Sequence, residues 1–472
     1  MLPVWLFTIG FAQQTPVVVH VRFDSNVPPD ITVVPAILKY NKDFAYSFTF
    51  DDAYSDAYNL GLKFWGGGYS PLDGNTYPGL FYTNGCGNRI PFRAGVSWYT
   101  ANTSNSDIHF NTPGYISYSG AVNLYNSGWD FFNHSYNHDA NSGSVNFISQ
   151  LNSNRQVFEN NTGIDLYYCV PPSGDIGYLG PAFSLGDLAC FTSSNGYLGY
   201  LTGVDATVSV PGNPVYWRNL INSDDDNSAS LIAAFDKWVS TTGQGQQKWW
   251  NEFTHRIDYG HIAASMEFRE FKTYFEYLEQ KYGSKGSDNG WFANGVEVFE
   301  YLMVRDHVAV TFVKNGSLLD ITLNYSLVPV NLRYYDLSLL VKGSGNISSV
   351  SLNGQGIVSN VKTSNGHLIN IDLPDAKTAG METARFEKQV FLRGFPNPAT
   401  GNYYLEIPDR VTNAEVTIVN SRFETMPNPS FTQSDRLIEI NLKSASYPPG
   451  LYLISVYSKG ICIGTSKVII DL

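Results

Sequence analysis

Basic side chains are scarce: 472 residues carry 30 Lys and Arg against 42 Asp and Glu, a formal net charge of -12. Phosphate backbones are gripped by basic patches, so this balance argues against nucleic acid as a partner. Long apolar runs are missing too. After the first dozen residues nothing stays apolar for the ~20 residues that a membrane helix requires, which reads as a soluble mature protein. Cysteine is rare, at four. In an exported chain four cysteines permit disulfides; Cys169 and Cys190 are the nearest pair, leaving Cys86 and Cys462 free.

Aromatic residues are abundant instead, at 15% with 31 Tyr. Such faces stack on sugar rings, although many Tyr simply pack inside β domains. The opening "MLPVWLFTIGFAQQ" is a short apolar run ending in small residues, Gly10 and Ala12. It reads as a secretory signal over residues 1–12, followed by an N-terminal segment, 13–39.

The length calls for two to four domains. Residues 40–306 mix strands with amphipathic helices. Ile148, Leu151, Arg155 and Phe158 follow helical spacing, as do Leu231, Phe235 and Trp238. Phe268, Phe271, Phe275, Leu278 and Tyr282 form the clearest stripe. "ISYSGAVNLY" and "IDLYYCV" read as strands, so the region is expected to be an α/β barrel or sheet. Residues 62–128, rich in Gly, Asn, Tyr and Pro, read as long ordered loops with short strands. Alternating apolar and polar residues between Asn-Gly and Gly-Ser turns predict a β-sandwich over 307–375. A polar linker, 376–391, then leads to a second all-β unit, 392–472.

Chemistry concentrates where aromatic strands end. "FAYSFTFDDAYSDAY" empties into two adjacent carboxylates, Asp51 and Asp52, which repel unless something binds them. "WDFFNHSYNHDA" ends in the same way on His134 and His138, whose HxxxH spacing lets both imidazoles face one point across a helical turn or a tight loop. Two imidazoles and a carboxylate suit a divalent metal that keeps one position open. Asp52 is then the ligand and Asp51 stays free, and the ion's charge relieves their repulsion. "PPSG", Pro171 to Gly174, follows another strand and can present backbone N–H groups. His255, in "WWNEFTHRIDYG", is a proton-donor candidate. Each signal has an ordinary structural reading as a cap, a solvated face, a turn or a packed histidine. Their succession at inferred strand ends, where α/β barrels gather reactive groups, favours a site.

The order TFDD, HSYNH, PPSG, FTH resembles the polysaccharide deacetylase family with the NodB homology domain, carbohydrate esterase family four. "WFANGVEVFEYLMVRD" is similar to the closing helix of that family. The resemblance spans about 40–306. It implies a distorted (β/α) barrel and metal-dependent hydrolysis of acetyl groups, as amide or ester, from a polysaccharide or oligosaccharide. It implies Asp51 as base, His255 as acid, the Ser173 N–H as oxyanion donor, and Asp52, His134 and His138 as ligands of Zn2+, with Co2+, Ni2+ or Fe2+ as alternatives. Two departures stand out. Val170 occupies the place of an arginine that holds the base, so Arg89 or Arg93 is expected to serve. The segment "VYWRNLINSDDD" offers Trp217 and Asp224 for a missing fourth motif. A catalytically impaired carbohydrate-binding protein on the same scaffold is the alternative reading.

"FPNPATGNYYLEI", "AEVTIVNSRFETM" and "YPPGLYLISVYSKGICIGTSKVIIDL" resemble the C-terminal sorting domain of the type IX secretion system of Bacteroidetes. That resemblance implies contact with the secretion machinery and a secreted or outer-surface location. The protein is expected to act as a monomer.

Overall fold

Seven parallel strands close on themselves between residues 44 and 254 among the described residues. The computed structural model describes residues 16–110, 112–140, 143–193, 204–205, 213–257, 264–329, 331–353, 356–373, 394–407, 414–420, 426–427, 429–434, 436–444, 447–458 and 461–471. The expected signal (1–12) and linker (376–391) lie outside them. The chain divides into two compact units, Met1–Asp375 and Ala376–Leu472.

In the first unit, strand Phe44–Phe50 pairs along its whole length with Lys248–Thr254, and near its end with Gly95–Trp98. Asp130–Asn133, Tyr168–Cys169, Ala189–Ser193 and Val215–Leu220 complete the circle in chain order. This is the distorted (β/α) barrel that the resemblance implied. Every residue of Phe44–Phe50 is buried, as befits a parallel strand covered on both faces. Phe48 packs edge-on against Phe271 and Phe275, two members of the stripe in helix Phe268–Tyr282. Helices Phe147–Thr162 and Ser228–Val239 also form where the spacing places them.

One element differs. The segment "ISYSGAVNLY" is not a strand: residues Tyr118–Asn126 form a helix. Ser117 caps it by accepting from Gly120 N, and Tyr118, Ala121 and Leu124 are buried at three-residue steps. The cap and the period of three outweigh the β-prone tyrosines.

Two four-stranded antiparallel sheets follow the barrel in sequence and also recruit strands that precede it. Val17–Phe23 lies between Leu318–Asn324 and Ile347–Leu352, and Thr32–Pro35 pairs with Leu337–Lys342. The closing helix, Gly295–His307, is buried from Gly295 to Leu302 and at Val304. Glu297 on that helix accepts from Lys39 Nζ at 2.8 Å, and Tyr301 donates to Ala36 O at 2.7 Å. The N-terminal segment is thereby bound to barrel and sheets alike.

Cys169 and Cys190 are register partners on neighbouring strands, yet both are free thiols, and so is Cys86. The expected disulfide is absent because the two side chains pack as small apolar groups with Leu151, Tyr178 and Ala182.

The second unit holds a four-stranded sheet (Gly394–Phe395, Asn402–Glu406, Leu437–Asn441, Ser430–Ser434) and a three-stranded one (Ala414–Asn420, Gly450–Ser458, Ile461–Ile470). Tyr403, Leu405, Ile418, Ile440, Ile454 and Val468 form its core.

Candidate metal centre

Because the seven strands run parallel, their C-terminal ends share one rim, and the sequence-predicted groups gather there. Asp51 and Asp52 leave strand Phe44–Phe50, His134 leaves Asp130–Asn133, and Pro171–Gly174 leaves Tyr168–Cys169. His255 follows Lys248–Thr254.

The backbone is bent to bring them in. Five of the eleven non-glycine residues with positive φ among the described residues belong to these segments: Asp52, Ala53, Ser135, His138 and Ser173. Such conformations cost on the order of 1–3 kcal/mol each and persist where the surroundings over-determine them. The HxxxH pair thus meets across a tight loop, since no helix forms there.

Asp52 Oδ1 lies 3.3 Å from His134 Nε2 and 3.4 Å from His138 Nε2. His134 Nδ1 donates to the Val170 carbonyl at 2.6 Å, so neutral His134 turns a lone pair, not a proton, towards Asp52. Asp52 Oδ1 accordingly has no hydrogen-bond partner among the described residues, although it is buried. A lone pair facing an unpartnered carboxylate oxygen needs a cation between them. Ligand atoms at tetrahedral Zn–N and Zn–O lengths stand about 3.3 Å apart, and the spacing here matches that value. The residues therefore fit a divalent ion, and all three ligand atoms lie within 4.8 Å of one another. Burial by itself would raise the Asp52 carboxyl; positive charge on the facing imidazoles of His134, His138 and His255 would outweigh it and lower the pKa, and an ion between them would act in the same direction. Burial, and then the proximity of His134, keep the His138 imidazole below its usual range.

Asp51 is answered differently. Arg218, inside strand Val215–Leu220, donates Nη1 to Oδ1 at 2.8 Å and Nη2 to Oδ2 at 3.0 Å. Burial pushes the Asp51 carboxyl up; the guanidinium charge and its two hydrogen bonds more than reverse that, so Asp51 stays ionised. On the Asp51 side the repulsion between the adjacent acids is relieved by the Arg218 guanidinium.

Arg218 corrects the sequence reading. Arg93 turns instead to Glu297 at 3.4 Å, and Arg89 lies over the Phe81 ring at 4.0 Å. In "VYWRNLINSDDD" the residue that matters is the arginine after Trp217. Trp217 itself is half exposed, and Asp224 sits exposed in a turn with its N–H on Asn222 Oδ1. A charged residue between Tyr216 and the apolar end of a barrel strand was the available signal. Val170 keeps a role through its carbonyl, which any residue supplies.

His255 donates Nδ1–H to the Ala264 carbonyl at 2.9 Å, leaving Nε2 to exchange a proton. Ser173 sits between Pro172 and Gly174 at φ 52, its side chain exposed, three residues after the carbonyl that holds His134.

Residues 394–471 match the family described as a secretion system C-terminal sorting domain. That domain marks the chain for the outer cell surface or the extracellular space. No curated protein matches the chain. Similar solved structures include a Streptococcus pyogenes deacetylase in complex with acetate, 16% identical over 31% of this chain and 54% of that one, TM-score 0.23. A peptidoglycan deacetylase from Bacillus subtilis is 14% identical over 55% of this chain and 92% of that one, TM-score 0.30. A CE4 family pseudoenzyme from Bacillus anthracis is 13% identical over 55% and 66%, TM-score 0.30. This chain thus spans about half the length of the first of these proteins. No helix of the described residues is long and apolar enough to cross a membrane.

Proposed function

We propose that this exported chain is a metal-dependent deacetylase that hydrolyses acetyl groups, as amides or esters, from a polysaccharide or oligosaccharide. One observation carries the reading: a buried carboxylate oxygen without a hydrogen-bond partner faces two imidazole nitrogens, next to a second carboxylate kept ionised by its own arginine.

Asp52, His134 and His138 would hold the ion, zinc being the best match to a carboxylate with two imidazoles. When bound, such an ion acidifies water and polarises a carbonyl. Asp51, fixed in place by Arg218, takes the proton from the attacking water. The Ser173 N–H stabilises the carbonyl oxygen as it gains charge. His255, steadied by Ala264, returns a proton to the departing nitrogen or oxygen, so water and acetyl group leave as acetate and a free amine or hydroxyl. The alternative of an impaired carbohydrate-binding protein drew on Val170 standing in an arginine's place. The grip of Arg218 on Asp51 meets that need from another strand.

The test is acetate release from acetylated oligosaccharides by zinc-loaded protein, with and without chelator. Release that disappears with chelator and with Asp52→Asn supports the reading. Oligosaccharide binding without any release would establish the impaired protein instead.

A further inference from the structure

Beside the metal centre three tyrosines meet that have no part in the chemistry above. Tyr99 stands edge-on to His138, ring centroids 5.5 Å apart and planes at 65°. Its hydroxyl donates to Tyr115 Oη at 3.1 Å. Tyr115 in turn stacks on Tyr54 at 5.2 Å and 23°.

The group is rigid. Residues 53–55 zip onto 114–116 through Ile116 N to Ala53 O at 2.9 Å and Ser55 N to Gly114 O at 2.8 Å. Tyr115 is therefore anchored to the backbone that follows Asp52 itself. The Arg256 guanidinium lies 5.1 Å from the Tyr54 ring, on the other partner of the stack.

Rings whose only task is packing are buried, as Trp65, Trp98 and Trp129 are here. Tyr54, Tyr99 and Tyr115 are each only partly buried, beside a His138 that is itself 32% exposed. A phenol offers two things at once, an apolar face and a neutral hydroxyl that donates and accepts. A pyranose ring has the matching pair, a C–H face and a fringe of hydroxyls. A small acetyl ester has neither.

We propose that Tyr54, Tyr99 and Tyr115 form the subsite for the neutral sugar ring that carries the acetyl group, with the exposed part of Tyr115 as its platform. The proposal rests on the deacetylase reading and adds the residues that select a glycan over a small ester. The loops that deliver Tyr99 and Tyr115, within residues 62–128, thus set the substrate together with Tyr54, which follows Asp52.

Kinetics of the zinc-loaded full chain, read as acetate released from two substrates, test it: a panel of neutral acetylated chito- and xylo-oligosaccharides, and ethyl acetate. Tyr115→Ala is expected to raise KM for the oligosaccharide at least tenfold while kcat/KM for ethyl acetate stays within twofold. Tyr115→Leu, which keeps the volume, is expected to do the same and guards against a folding defect, monitored by the melting temperature. Saturation-transfer NMR with the same oligosaccharides reports contact independently of turnover, and that contact should be lost in both variants. Equal losses on both substrates, or no change on either, would overturn the subsite. Wild-type protein that cleaves the alkyl ester but neither cleaves nor contacts any oligosaccharide also overturns it, and leaves the hydrolytic centre standing. Zinc-loaded wild type that cleaves neither substrate overturns both proposals.

Discussion

Arg218 holds both carboxylate oxygens of Asp51, at 2.8 and 3.0 Å, from a strand 167 residues further along the chain. Both side chains are nearly inaccessible to solvent. Removing one partner of a buried pair leaves the other charge uncompensated, at a cost of about 3–5 kcal/mol. Arg218→Met should therefore lower the unfolding free energy by about that much in urea titration. Pairing it with Asp51→Asn should recover much of the loss. Additive losses in the double variant would show that the two groups do not depend on each other.

Zinc uptake isolates the neighbouring acid. Asp52→Asn keeps the shape of the side chain but removes its charge, and atomic absorption after dialysis should find zinc in the wild type and at least about 100-fold weaker retention in the variant. Asp51→Asn should retain zinc, because Asp51 is occupied by Arg218. Equal zinc loss in both variants would place the ion elsewhere.

The proposed role of His255 as acid distinguishes amide from ester substrates. An amine leaves poorly unless protonated, whereas an alkoxide departs more readily, and a positioned acid contributes roughly 100- to 10,000-fold. His255→Ala is expected to reduce amide cleavage far more than ester cleavage, measured as acetate released from N-acetylated and O-acetylated substrates. Identical reductions on the two would remove its role as the acid.

Glu252 governs a pH response of the fold. It is buried in the barrel, accepting from Tyr46 at 2.6 Å and from Tyr274 at 3.1 Å. Burial pushes its pKa up from 4.5 to about 7 despite those hydrogen bonds. Between these values the folded protein keeps a proton that the unfolded chain has released, so stability is highest below pH 4.5 with respect to this group and declines as pH rises towards 7. The decline amounts to roughly 3 kcal/mol at most. Glu252→Gln should flatten it, read from urea midpoints at pH 5 and pH 8. Parallel pH profiles for wild type and variant would refute the assignment.

Parts of this architecture are visible along the chain because they depend on local spacing. The stripe from Phe268 to Tyr282 forms the helix that its period dictates. The motif order is legible because parallel strands bring their C-terminal ends together, so residues just after each strand meet whatever the details of the helices. The segment 116–125 shows the limit of local reading: its tyrosines suit a strand, but the serine cap and the burial of Tyr118, Ala121 and Leu124 make a helix.

Sequence by itself determined which side chains are available to bind an ion and that they leave the ends of strands, since both follow from residue type and short-range pattern. It also determined the β-rich, export-marked C-terminal segment. Tertiary structure alone decided which arginine serves Asp51, because the choice rests on barrel closure and on a strand register linking residues 167 apart. It likewise decided that Val17–Phe23 inserts between strands some 300 residues later, and that three tyrosines meet beside His138. Contacts of that range arise only once the whole chain has paid its ordering entropy and packed, and no local period encodes them.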